Sequence, residues 1–155
     1  MTDPRFARKV FAAFAADAAV PALTLRGGDA LGDGREPPPF DPRLDDISDT
    51  YLERHARGLA RLDAASWRHH LPHLIDYSLR HVQQGGAVID ALLASLCPPD
   101  SEPPRLASLT PAQEAVVTEF LDILAFGDPD TCRPMACRAL ESWWIPGALR
   151  AEGAE

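Results

Sequence analysis

The chain has 155 residues, 46% hydrophobic and 25% charged, which fits one globular domain with a sizeable core and excludes wholesale disorder. Its formal net charge of −8 opposes sequence-independent binding to nucleic acid or anionic lipid, where clustered cations supply the affinity. No apolar run reaches the ~20 residues of a membrane helix. The opening stretch MTDPRFARKVFAAFAADAAV is broken by Asp17 before it forms a signal-peptide core, so a cytoplasmic chain is expected.

In chain order, Asp3 is placed to cap a first helix, Pro4 suits its first turn, and Phe6, Val10, Phe11 and Phe14 share one face up to a stop at Pro21. Residues 21–43 are rich in glycine and proline with little periodicity. They read as a long loop, with Leu23, Leu25, Leu31 and Phe40 as apolar anchor points. Helical spacing resumes at Asp49-Thr50 through Tyr51, Leu52, His55, Leu59 and Leu62. Asp63 then caps a helix from Ala64 to about Gln83, with Trp67, Leu71, Leu74, Ile75, Ser78 and Val82 as the buried stripe and a kink expected at Pro72.

After Gly85-Gly86, AVIDALLASL is short and nearly all apolar, which suits a helix in the middle of a bundle ending at Cys97-Pro98-Pro99. A second linker spans Pro98 to Leu109. Thr110-Pro111-Ala112-Gln113 is a capping box with proline at the first helical position, and Val116, Val117, Phe120, Leu121, Ile123 and Leu124 follow as a wide apolar face closed by Gly127. A last helix is expected from about Asp130-Thr131, with Met135, Ala139, Leu140, Trp143 and Trp144 inward and a stop at Pro146-Gly147. No run alternates with period two and no repeat occurs, so the expectation is all-α: a single irregular bundle of about six helices over residues 1–150, a long Pro/Gly-rich loop at 21–43 and a disordered tail at 151–155.

Chemistry-bearing residues concentrate on the fourth segment. His69, His73 and Asp76 have a spacing that aligns imidazole and carboxylate on one helical face, as metal ligands require. The helical wheel turns that face, with Arg80, away from the core toward water, and a guanidinium repels a cation, so no metal and no cofactor is expected. His70, Tyr77 and His81 run along the flank of the stripe and with His73 form a candidate polar site. Neither a nucleophile elbow nor a phosphate loop is present. Cys97, Cys132 and Cys137 form no C-x-x-C pair and read as free, mostly buried thiols. Asp45, Asp46 and Asp49 cluster at a helix start, where the helix dipole favours them. Adjacent Trp143 and Trp144 diverge around the helix, so one belongs to the core while the other is half-exposed, in the manner of an interface anchor.

Leu62-Asp63-Ala64-Ala65-Ser66-Trp67-Arg68-His69-His70-Leu71-Pro72 resembles the "L-T-P-x-x-F-R-Y-Y-L-P" segment of an uncharacterised family of small, mainly bacterial helical proteins. Leu109 to Gln113 resembles its "L-T-P-x-Q" helix start, and Ala139 to Trp144 its closing "A-L-x-x-Y-W". The resemblance covers about residues 50–145. It departs at Trp67 and at His69-His70, and the 21–43 segment has no counterpart. It implies a helical fold and carries over no catalytic residue.

Together these features point to a non-catalytic cytoplasmic protein-binding module, with a toxin-neutralising (immunity-type) protein as its concrete form and a partner bearing a basic surface. Contact is expected through Phe40, Asp45, Asp46, Asp49 and Trp144, with neither nucleic acid nor membrane as partner. The competing expectation is an enzyme or metal-binding protein with a site along His69–His81, built on His70, His73, Tyr77 and His81.

Overall fold

The computed structural model describes residues 4–97, 105–127 and 132–144, and within them every regular element is helical. The α-helices are α1 (Pro4–Ala13), α2 (Leu25–Gly32), α3 (Asp49–His55), α4 (Ala64–His81), α5 (Ala87–Ser95), α6 (Pro111–Phe126) and α7 (Arg133–Ala139). A tight 3-10 turn, Ala56–Arg61, continues α3, and a π-turn, Leu140–Trp144, continues α7. The Asp3 cap, the stop at Pro98-Pro99, the start at Asp130-Thr131, the stop at Pro146-Gly147 and the 151–155 tail lie outside the described residues.

The helices α2, α3, α4 and α6 start where a side chain satisfies an orphan backbone N–H. Thr24 accepts from Gly27 N (2.8 Å), Ser48 from Tyr51 N (3.1 Å) and Asp63 from Ser66 N (3.3 Å). At α6 the reciprocal box forms as its spacing predicts: Thr110 accepts from Gln113 N, and Gln113 Oε1 accepts from Thr110 N. Gly85 and Gly86, at φ +65° and +120°, make the left-handed turn between α4 and α5 that other residues adopt only with strain.

Five helices close a ring of neighbours: α1 packs on α4 and on α6, α6 on α7, α7 on α5, and α5 back on α4. Trp67, Leu71, Leu92, Leu93, Phe120 and Leu121, all fully buried, fill its interior. The two enclosed indoles find acceptors, Trp67 Nε1 donating to Ser95 Oγ (3.1 Å) and Trp144 Nε1 to the Leu96 carbonyl (2.8 Å). The stripe expected on α4 is the one observed, although Val82 is only half-buried, and α4 continues through a buried Pro72.

A second layer, α2 with α3 and the Ala56–Arg61 turn, docks on α5. Here the sequence reading needs correction. Residues 25–32, placed in the long loop, form α2, which brings the count among the described residues to seven α-helices. Gly27-Gly28 reads as a breaker on propensity. In the fold, α2 crosses the 56–61 turn so closely that a Cβ on Gly28 would overlap the Gly58 carbonyl, and one on Gly58 would overlap the backbone of α2. The glycines are what the crossing requires, and burial of Leu25 and Ala30 outweighs their helix cost. The first helix also ends earlier than Pro21, at Ala13, because Asp17 is drawn onto α4 and α6: its carboxylate accepts from Arg68 Nε (3.2 Å) and Gln113 Nε2 (2.8 Å).

Gly58→Ala should therefore destabilise the protein by about 2 kcal/mol or more, since neither backbone can retreat without unpacking Leu25. Gly32, whose Cβ would meet nothing within 4 Å, is the control: Gly32→Ala should raise stability by about 0.5 kcal/mol. Denaturant midpoints of the two variants against the parent measure both signs.

Candidate functional site

Two polar assemblies flank α3, and between them they contain most of the residues the sequence singles out. The first is centred on Asp45. The Thr24 cap orients the first turn of α2 so that Arg26 lies over Asp45, with Nε 3.1 Å from Oδ1 and Nη2 2.9 Å from Oδ2. Tyr51 Oη donates to Oδ1 (2.7 Å) and the Asp41 backbone N–H to Oδ2 (2.9 Å). Burial works to raise the Asp45 pKa, but the hydrogen bonds from Arg26, Asp41 and Tyr51 together outweigh it and hold the carboxyl below its ordinary value.

This corrects the expectation for Asp45. At 6% exposure with four donors on it, the side chain is an internal anchor and offers nothing to a partner. What it anchors is the irregular stretch 33–47. Asp45 N bonds back to the Asp41 carbonyl (2.7 Å), Asp41 Oδ1 caps Arg43 N (2.9 Å), and Arg26 Nη2 reaches the Pro39 carbonyl (3.2 Å). The turn so fixed leaves Phe40 38% and Leu44 55% exposed, with Asp46 exposed beside them.

The second assembly joins α3 to α4. Asp49 and Glu53 stand one turn apart on α3, and Tyr77, Arg80 and His81 lie on the facing side of α4. Tyr77 Oη donates to Glu53 Oε2 at 2.6 Å. Arg80 grips Asp49 with both terminal nitrogens (2.7 and 2.8 Å) and Asp76 with Nε (3.0 Å), while His81 Nε2 donates to Asp49 Oδ2 (3.0 Å). The Tyr77 and His81 rings lie 4.2 Å apart at 32°. Glu53, Tyr77, His81 and the Gln84–Val88 turn border a pocket of about 350 Å³.

Burial, reinforced by the Glu53 carboxylate, pushes the Tyr77 phenol up to about 12, so at neutral pH it serves as a hydrogen-bond donor and proton holder. The Arg80 hydrogen bond, opposed by burial and aided by His81, holds Asp49 far below the carboxylate range. Asp49 is thereby paired within the fold, which leaves Asp46 as the one member of the expected acidic trio both exposed and outside an ion pair among the described residues.

The histidines of α4 separate. His73 is half-buried and meets Phe11 of α1 edge-on (5.1 Å), and His69 Nδ1 donates to the Asp17 carbonyl (2.9 Å). The His69–His73 part of the face expected to point to water is half-covered by α1 and the turn after it, whereas Arg80 at the end of that face is exposed as expected. His70 is fully buried and donates through Nδ1 to the Ser66 carbonyl (2.7 Å). Thus His81 and Tyr77 share a site, while His70 and His73 lie apart from it, His70 against the Ser66 carbonyl and His73 against Phe11. Among the described residues no three of His, Cys, Asp and Glu gather closely enough to hold a metal ion. Cys97, Cys132 and Cys137 are free, Cys132 buried and the other two half-buried. Trp144 is 4% exposed and Trp143 is the half-exposed member of the pair, so Trp144 as an interface anchor is also corrected: its indole is drawn inward by Leu96. Arg26, Tyr51 and Glu53 carry no motif of their own, and the one sequence signal for Arg26 is the Thr24–Gly27 cap spacing.

Burial, with His69 and His73 adding to it and the Ser66 carbonyl opposing, pushes His70 down to about 4. The unfolded chain protonates this residue below its ordinary value near 6.5, whereas the native chain does not until about 4, so its stability is full above pH 6.5 and falls as pH drops toward 4. Between pH 7 and pH 5 the loss from this residue should be about 2 kcal/mol. Denaturant unfolding of the parent and His70→Gln at both pH values checks it: the parent should lose stability and the variant should show a flatter dependence.

The chain matches a family described as a family of unknown function (DUF6714) over residues 5–148, and belongs to it. No curated protein and no solved structure matches the chain.

Proposed function

We propose that this member of the family is a non-catalytic protein-binding module of the bacterial cytoplasm. The observation that carries the reading is the 33–47 segment: it has no helix, yet Asp45 and Arg26 hold it in one conformation with Phe40 and Leu44 turned outward. Apolar side chains displayed on a segment already ordered lose little entropy when a partner covers them, so more of their burial becomes affinity. The concrete form is a toxin-neutralising, immunity-type protein. The net charge of −8 supports a partner with a basic surface approached by long-range attraction, and disfavours nucleic acid and anionic membranes. No helix among the described residues is long and apolar enough to cross a membrane.

A second reading rests on the Tyr77–Glu53 pair beside its 350 Å³ pocket, a volume within the range of small-molecule sites. It takes the protein as an enzyme in which Tyr77 donates a proton. Tyr77→Phe separates the two, since it removes that donor and leaves the 33–47 surface intact.

Phe40→Asp with Leu44→Asp should lower stability by no more than about 2 kcal/mol, because Leu44 is mostly exposed and Phe40 only partly covered, and leave the chain folded. Crosslinked capture from the native host should yield a stoichiometric partner with the parent chain and with Tyr77→Phe, and lose it with the double variant. The same partner recovered equally by the double variant, or no stoichiometric partner for the parent in repeated captures, goes against the proposal.

A further inference from the structure

Beside Leu44 the turn at 41–44, the first turn of α2 and the outer face of α3 enclose a cleft of about 260 Å³, into which Arg26, Arg43 and Arg54 converge from three separate segments. In a chain of net charge −8 this concentration of guanidinium groups runs against the overall field. Their states differ. Arg26 is neutralised by Asp45 and fixed by it, with Nε and Nη2 engaged. Arg43 and Arg54 are exposed, and among the described residues neither side chain has a carboxylate within ion-pair distance. Tyr51 and His55, also at the cleft, are turned to Asp45 and Asp29. The hydroxyls of Ser48 and Thr50 complete the lining. Ser48 Oγ already accepts from Tyr51 N, which leaves its proton to donate. One carboxylate, Asp46, stands against these donors.

The cleft therefore holds two uncompensated positive charges, a third guanidinium held rigid and two hydroxyls, against one negative charge. Its complement is compact, anionic and rich in acceptors. A planar carboxylate has two oxygens and is satisfied by one arginine fork, whereas donors arriving from three directions match the three terminal oxygens of a tetrahedral group. We propose that this cleft is a binding site for a phosphoryl group, held by Arg43 and Arg54 with Arg26, Ser48 and Thr50 in support. The site stands on the cleft's own geometry; Leu44 borders both it and the docking surface proposed above, and phosphate binding is read without a partner present.

The test is a titration of the full chain with inorganic phosphate at constant ionic strength, chloride making up the balance, followed through the arginine Nε–Hε resonances. Acetate is the planar control and ribose 5-phosphate is the esterified arm. Saturable shifts at Arg43 and Arg54 are expected with phosphate and not with acetate. Arg43→Gln and Arg54→Gln should each weaken binding by about tenfold or more. Asp46→Asn should tighten it several-fold by removing the opposing charge. Because these side chains face solvent, melting temperatures should stay at the parent value. Tighter binding of ribose 5-phosphate than of inorganic phosphate identifies an ester as the source, and equal binding identifies the free ion. Shifts that rise without saturation as they do with chloride, equal binding of acetate, or undiminished binding in Arg54→Gln would each overturn the assignment.

Discussion

The outer layer of this protein depends on two backbones passing without side chains between them. Gly28 of α2 and Gly58 of the 56–61 turn meet so closely that a methyl group on either overlaps the opposite main chain. The approach sets where α2 lies, and α2 carries the residues that organise what surrounds it. Arg26 reaches Asp45 on one side. On the other, Asp29 accepts from His55 Nδ1 and Arg57 Nη2, both at 2.9 Å. A helix displaced by the width of a methyl group would lose that geometry at both ends, because charge-assisted hydrogen bonds tolerate only tenths of an ångström.

Asp45 and Asp49 stand four residues apart and show how the same chemistry takes two roles. Asp45 is removed from water and compensated by four donors, so its charge stays internal and its effect is on chain conformation. Asp49 is half-exposed and shared between Arg80 and His81, which ties α3 to α4 across a polar seam. Both are paired with an arginine, Asp45 with Arg26 and Asp49 with Arg80. The overall acidity of the chain, which acts at long range, coexists with a local excess of guanidinium groups around Arg43 and Arg54, which acts at contact distance.

The match to the family runs over residues 5–148, a stretch of this chain that takes in the α2 layer as well as the helices of the ring. Within it the ring of α1, α4, α5, α6 and α7 supplies the buried apolar core, and the α2–α3 layer supplies most of the exposed polar groups with geometric definition. That division is physically sensible. The ring interior is filled by large apolar side chains with few polar atoms, whereas in the outer layer Arg26, Asp29, His55 and Arg57 keep part of their surface in water and Asp45 and Tyr51 are enclosed.

What the sequence by itself determined is whatever local physics determines. The 3.6-residue spacing of Trp67, Leu71, Leu74, Ile75 and Ser78 defined the buried face of α4. The caps at Asp63 and Thr110 marked helix starts, and the absence of period-two alternation identified an all-α class. These signals lie within one or two turns of chain, so no partner element is needed to read them. Tertiary structure alone decided the rest. Gly27-Gly28 breaks a helix on propensity and is tolerated because Gly58, thirty residues on, demands a bare backbone there. The face of His69 and His73 is polar in composition and is half-covered because α1 folds across it. Whether Asp45 would be a surface charge or a buried anchor depended on Arg26, nineteen residues earlier, and which of Trp143 and Trp144 turned inward depended on the Leu96 carbonyl of α5's end. In each case the deciding group is distant in the chain and adjacent in space, and periodicity carries no information about it.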